Sequence, residues 1–125
     1  MRSVGPDEDA MEHTLDALFA RCEPVTRETF DALLEASQAA GPVIVEAKKT
    51  SIHLAGPKSA FAGVHPRKAG FVLNIRSETP IRSARIRKLE QVSAHRFHNE
   101  LLLTGPSQVD AELRGWLRDA YALSC

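Results

Sequence analysis

Residues 59–76 read SAFAGVHPRKAGFVLNIR. Two runs of period-two texture, Ser59–Val64 and Phe71–Arg76, flank the connector His65-Pro66-Arg67-Lys68-Ala69-Gly70. A proline fixes φ and a glycine can adopt positive φ, the pair that a tight reversal of chain needs. In the second run Phe71, Leu73 and Ile75 fall on one face, and Val72, Asn74 and Arg76 on the other. The stretch therefore predicts a β-hairpin with one apolar face.

Upstream, Val43–Ala47 and Ser51–Leu54 read as two short strands around a Lys48-Lys49 turn. Before them, Met11, Leu15, Leu18, Phe19 and Cys22 follow the spacing of one helix face, which Pro24 ends. A second helix is expected from Thr26 as N-cap, with Phe30, Leu33 and Leu34 inward and Gly41-Pro42 as its stop. Downstream, residues 77–92 fit a turn of helix or an irregular strand, and Arg96–Leu103 fits a strand. Ser107 and Asp110 have capping-box spacing ahead of a helix striped by Val109, Leu113, Trp116, Leu117, Ala120 and Tyr121. The expected fold class is α+β: an antiparallel meander of four to five short strands, with two N-terminal helices and one C-terminal helix packed on one face. The other face is left to solvent. Residues 1–8 are expected to be a disordered lead and 9–125 a single domain.

The zero net charge of this 125-residue chain hides a segregation. Residues 1–46 carry ten acidic and three basic side chains, 47–98 two acidic and eleven basic, and 99–125 four acidic and two basic. The blocks come to −7, +9 and −2, and His53, His65, His95 and His98 all lie in the cationic one. Neither Cys22 nor Cys125 belongs to a metal-ligand spacing, so no disulfide framework, metal or cofactor is expected. An acidic start and the lack of a long apolar run point away from a signal peptide or membrane span, and the expected location is the cytoplasm.

Alternation alone gathers polar groups on the outer sheet face: His53, Asn74, Arg76, Arg96 and His98. Guanidinium forks hold carboxylate or phosphate, so this face is a candidate anion site, extended by the loop cations Arg67 and Lys68. A secondary basic stretch, Arg82, Arg85, Arg87 and Lys88, has the makings of a phosphate-tracking stripe, although the aromatics Phe61, Phe71 and Phe97 read as core rather than as stacking platforms. A solvated, partly neutralised surface is the alternative for both. His95 and His98, three apart on a strand, point to opposite faces and make a poor ligand pair. Glu46 and Glu90, isolated among cations, read as ion-pair partners rather than catalytic acids.

The run Phe61-Ala-Gly-Val-His-Pro-Arg-Lys-Ala-Gly-Phe71 follows a Lys-Lys-Thr segment and precedes VLNIR. Farther on come Leu101-Leu-Leu-Thr104, Val109-Asp110 and Leu117-Arg-Asp-Ala-Tyr121. In this order the pieces resemble the small bacterial family known as domain of unknown function 5655, over roughly residues 13–124. The resemblance implies one α+β module, either alone or attached to other domains, some of them nuclease-like. It supplies no catalytic residues. The expectation is a non-enzymatic binding module whose basic sheet face and hairpin loop engage an anionic partner: a phosphate-bearing ligand, nucleic acid or an acidic protein. The alternatives are a small-ligand or enzyme pocket between helices and sheet, and self-association as a homodimer.

Overall fold

The computed structural model describes residues 14–125. Met11 and the lead at residues 1–8 lie outside the described residues. The chain runs α1 (Leu15–Phe19), α2 (Pro24–Gln38), β1 (Ile44–Ala47), β2 (Ile52–Ala55), β3 (Ala60–Pro66), β4 (Phe71–Ser77), β5 (Lys88–Ser93), β6 (Arg96–Leu103), a 3-10 turn at Pro106–Gln108, and α3 (Ala111–Leu123). The architecture is α+β, and all strands pair antiparallel in one six-stranded sheet of order β1-β2-β3-β4-β6-β5.

There are thus six strands rather than four or five, and the meander breaks at its end. The 77–92 stretch resolves into a loop and an edge strand: the chain leaves β4, crosses to the sheet's rim as β5 and returns by a hairpin as β6. Asn99 fastens that loop. Fully buried on β6, it donates to the Ile75 carbonyl (3.0 Å) and Ser77 Oγ (2.7 Å) and accepts from Ile81 N–H (3.1 Å). A buried amide is tolerated when its donors and acceptor are matched in this way.

One face of the sheet forms the core. Ile52, Leu54, Val64, Phe71, Leu73, Ile75, Leu101 and Leu103 are buried there against Phe30 and Leu33 of α2 and Leu113, Leu117 and Ala120 of α3. The i, i+4, i+7 spacing of the last three makes α3 the lid over β3 and β4. Its N-cap is Asp110 itself, whose side chain accepts from Leu113 N–H at 3.0 Å, while Ser107 sits in the preceding 3-10 turn. The expected capping box is therefore replaced by a single cap. Gly41 (φ +155°) has no room for a Cβ because the Tyr121 ring lies against it, and Tyr121 Oη donates to the Pro42 carbonyl at 2.8 Å.

Pro24 opens α2 instead of ending the helix before it, and Glu23 occupies the N-cap position without a side-chain bond. Thr26, expected as that cap, has a different partner. Fully buried, its hydroxyl accepts from Gly70 N–H (2.7 Å) and donates to the Lys68 carbonyl (3.2 Å), and that carbonyl also accepts from Glu23 N–H (2.7 Å). The β3–β4 turn is thereby hooked onto the start of α2. Gly70 has φ +100° and a Cβ there would overlap the Leu103 carbonyl oxygen, so both conformation and space demand glycine. Removing the hydroxyl with Thr26→Val strands a buried backbone N–H. It is expected to lower unfolding stability by about 1–3 kcal/mol in urea titration, against under about 0.5 kcal/mol for exposed Arg67→Ala.

Candidate functional site

With three helices on one face, the other face of the sheet carries mostly polar side chains, with the apolar pair Val72 and Leu102 at one end. A row crosses all six strands in register: Glu46, His53, Gly63, Asn74, Glu100, Lys88. Beside it on the same face, Arg76 stands opposite His98, and His98 opposite Glu90. A concavity of about 250 Å³ opens here, and its wall includes His53, Asn74, Arg76, Arg96 and His98, along with His65. The five strand residues picked out by alternation come together in one place.

Two local features make the concavity. The register between β2 and β3 slips, pairing Leu54 with Ala62 and Ala55 with Ala60, so Phe61 is left without a partner in the ladder. A bulge of this kind re-aims a side chain. Phe61 turns into the core, edge-on to Tyr121 with ring centroids 5.5 Å apart. Small Ala60 and Gly63 remain to form the floor.

The electrostatics are one-sided. Arg76 Nη1 donates to Ser59 Oγ at 2.9 Å, and burial followed by the positive charge of Arg96 holds the Arg76 guanidinium below its ordinary pKa. The Nε–H of Arg96 is buried and has no hydrogen-bond partner. Among the described residues, neither arginine has a carboxylate within ion-pair distance; the acidic partners go to Arg27, Arg85, Arg87 and His98. His98 Nδ1 lies 3.8 Å from the exposed Glu90 carboxylate. Burial and the charges of Arg96 and Arg76 still outweigh that solvent-screened attraction, and the imidazole pKa is lowered. His65 is lowered too, by burial and then by Arg67 and His53, with Glu100 opposing.

The hairpin cations do not enter the concavity. Arg67 and Lys68 sit on the exposed tip of the β3–β4 turn, beyond the end of the strands. Arg67 Nη1 folds back onto the Pro66 carbonyl at 3.1 Å, and the Lys68 contribution is its backbone carbonyl at α2. The secondary stretch is neutralised at two of its four cations. Arg85 reaches Asp110 and Glu112 (3.1 Å each), donates to the Gln108 carbonyl (2.8 Å) and lies over the Trp116 ring. Arg87 pairs with Glu100 at 3.2 Å. Arg82 and Lys88 are exposed. His95 lies in the β5–β6 turn, away from His98, and no three His, Cys, Asp or Glu side chains among the described residues form a metal-sized cluster. Ala60, Gly63 and His65 escaped sequence reasoning as site residues. β3 runs to Pro66, two residues beyond the strand expected at Ser59–Val64, and period-two alternation along it puts His65 on the same face as Gly63.

The sequence profile of a family described as a domain of unknown function (DUF5655) matches residues 15–124. The chain belongs to that family. No curated protein and no solved structure matches it. No described helix is long and apolar enough to cross a membrane.

The lowered histidines give stability a pH dependence of definite sign. As the pH falls below the ordinary value of 6.5, the unfolded chain takes up protons on these imidazoles while the folded protein resists. The unfolded state then binds more protons, so folding stability drops on acidification until the folded imidazoles protonate as well. His98→Gln removes one share of that drop. The loss in melting temperature between about pH 7.5 and about pH 5.5 is expected to shrink by roughly a degree or more in the variant. An unchanged loss would mean that His98 titrates as a free imidazole.

Proposed function

We propose that this protein is a binding module for a small anionic ligand, seated in the open-face concavity with its charged group between Arg76, Arg96 and His98. The observation that carries this reading is the convergence of two guanidinium groups that have, among the described residues, no carboxylate within ion-pair distance. Two like charges on one half-buried surface repel, and a buried Nε–H without a partner costs free energy of its own. An oxyanion relieves the repulsion, accepting fork-like hydrogen bonds from the accessible guanidinium N–H groups. Among the described residues, Asp110 and Glu112 are engaged by Arg85 and Glu100 by Arg87.

A phosphate- or carboxylate-bearing small molecule fits better than a nucleic-acid backbone. A backbone-tracking surface needs several free cations at phosphate spacing, and Arg85 and Arg87 are already held in ion pairs. The volume of about 250 Å³ lies just below the roughly 300–1,000 Å³ of drug-sized ligand sites, which suits one small molecule.

Sulfate is a suitable first probe because it does not titrate near neutral pH. Its addition is expected to raise the melting temperature beyond the effect of chloride at equal ionic strength. A ligand at a hundred times its Kd stabilises by about 2.7 kcal/mol. The double variant Arg76→Gln/Arg96→Gln should lose the rise. A rise that chloride reproduces, or one that persists in the double variant, would refute the assignment.

A further inference from the structure

The concavity is longer than an oxyanion, and its two ends differ in chemistry. The charged end is Arg76 with His98 across from it and Arg96 one step farther along β6. One step the other way along β4, about 6.8 Å, the floor is Gly63, with His53 on one neighbouring strand and Asn74 on the other. These two side chains stand about 9.5 Å apart at the backbone, two strand spacings, with nothing between them.

Gly63 is the anomaly. Glycine in a strand interior weakens the strand and marks places where a ligand or another backbone comes close. The φ of Gly63 is not positive, and a Cβ built on it would meet no atom within 4 Å. Neither backbone conformation nor packing among the described residues therefore calls for glycine here, in contrast to Gly70, where both do. Open space beside an imidazole and an amide remains as the physical reason for it.

We infer that the ligand is a flat ring joined to a phosphate, the chemistry of a nucleoside monophosphate, with the ring lying over Gly63 between His53 and Asn74 and the phosphate at Arg76, Arg96 and His98. The inference rests on the anion-binding function proposed above and adds the class of ligand. A phosphate dianion offers three oxygens to two guanidinium forks and an imidazole, more than a carboxylate can. The imidazole of His53 supplies a stacking surface, and the Asn74 amide offers both a donor and an acceptor to a ring edge. Apolar floor with a few placed polar groups is the usual make-up of a small-molecule site.

The test compares adenosine monophosphate, guanosine monophosphate and ribose 5-phosphate by calorimetric titration on the parent chain and on Gly63→Leu. At least one monophosphate is expected to bind about tenfold or more tightly than ribose 5-phosphate, a difference of about 1.4 kcal/mol. In Gly63→Leu that advantage should collapse to about onefold, and the melting temperature should equal or exceed that of the parent. Equal binding of all three ligands by the parent overturns the ring while leaving the anion site in place. No binding of any of them, together with no response to sulfate, overturns both. An advantage that survives Gly63→Leu, or a lowered melting temperature in that variant, overturns the assignment of Gly63 as ligand space.

Discussion

The hydrogen bond from Gly70 N–H to the Thr26 hydroxyl ties the helical start of the described chain to the central hairpin of the sheet. It spans 44 residues, joins the first turn of α2 to the turn between β3 and β4, and lies beyond the reach of water. Lys68 adds its carbonyl to the same junction, accepting from both Glu23 and Thr26. A helix start has free N–H groups and a β-turn has free carbonyls, so each end satisfies what the other lacks. Hairpin register and helix position are fixed together, and α3 can then close over β3 and β4. The chain's most recognisable motif, Pro66-Arg67-Lys68-Ala69-Gly70, owes much of its form to this junction.

Once the helices are held on one side, the chemistry of the other side follows from strand period. Every residue between two core positions must face out, and a one-residue slip would exchange the faces. Phe71, Leu73 and Ile75 thus oblige Asn74 and Arg76 to share a surface with His98 and Glu100 across the ladder. The ladder departs from this alternation at Phe61, and at the sheet's rim the β5–β6 register shifts again between Gln91 and Ser93. By sending a large ring inward, the bulge at Phe61 leaves Ala60 and Gly63 outward, turning a flat polar face into a concave one.

The period-two and helical patterns were legible from composition and spacing, and so were the α+β class and the five strand residues that meet at the concavity. What could not be read shares one physical cause: partners remote in sequence. Thr26 has the chemistry of a cap, and only contact with Gly70 shows otherwise. Ser107 and Asp110 have capping-box spacing, yet the turn at Pro106–Gln108 leaves the task to Asp110 alone. Residues 77–92 carry no clear period because β5 is an edge strand, exposed along its whole length, so no buried face imposed an alternation. Asn99 sits at a core position of β6, where its polarity is paid for by three hydrogen bonds to a loop whose path the sequence does not announce.

The charge segregation of the chain resolves in the same terms. A cationic block of fifty-odd residues suggested one basic surface, but folding sorts its arginines by what lies opposite. Arg85 and Arg87 face carboxylates from α3 and its cap and from β6, and their charge is cancelled locally. Arg67 folds over its own turn, where it helps to depress the His65 imidazole without lining a wall. Only Arg76 and Arg96 are set side by side, half sheltered and without a counter-charge among the described residues. An unrelieved repulsion of this kind opposes folding, and the buried clasp and core on the opposite face must offset it. The net charge of a segment is thus a poor guide to a site; the better one is the set of cations that the fold brings together and leaves unneutralised.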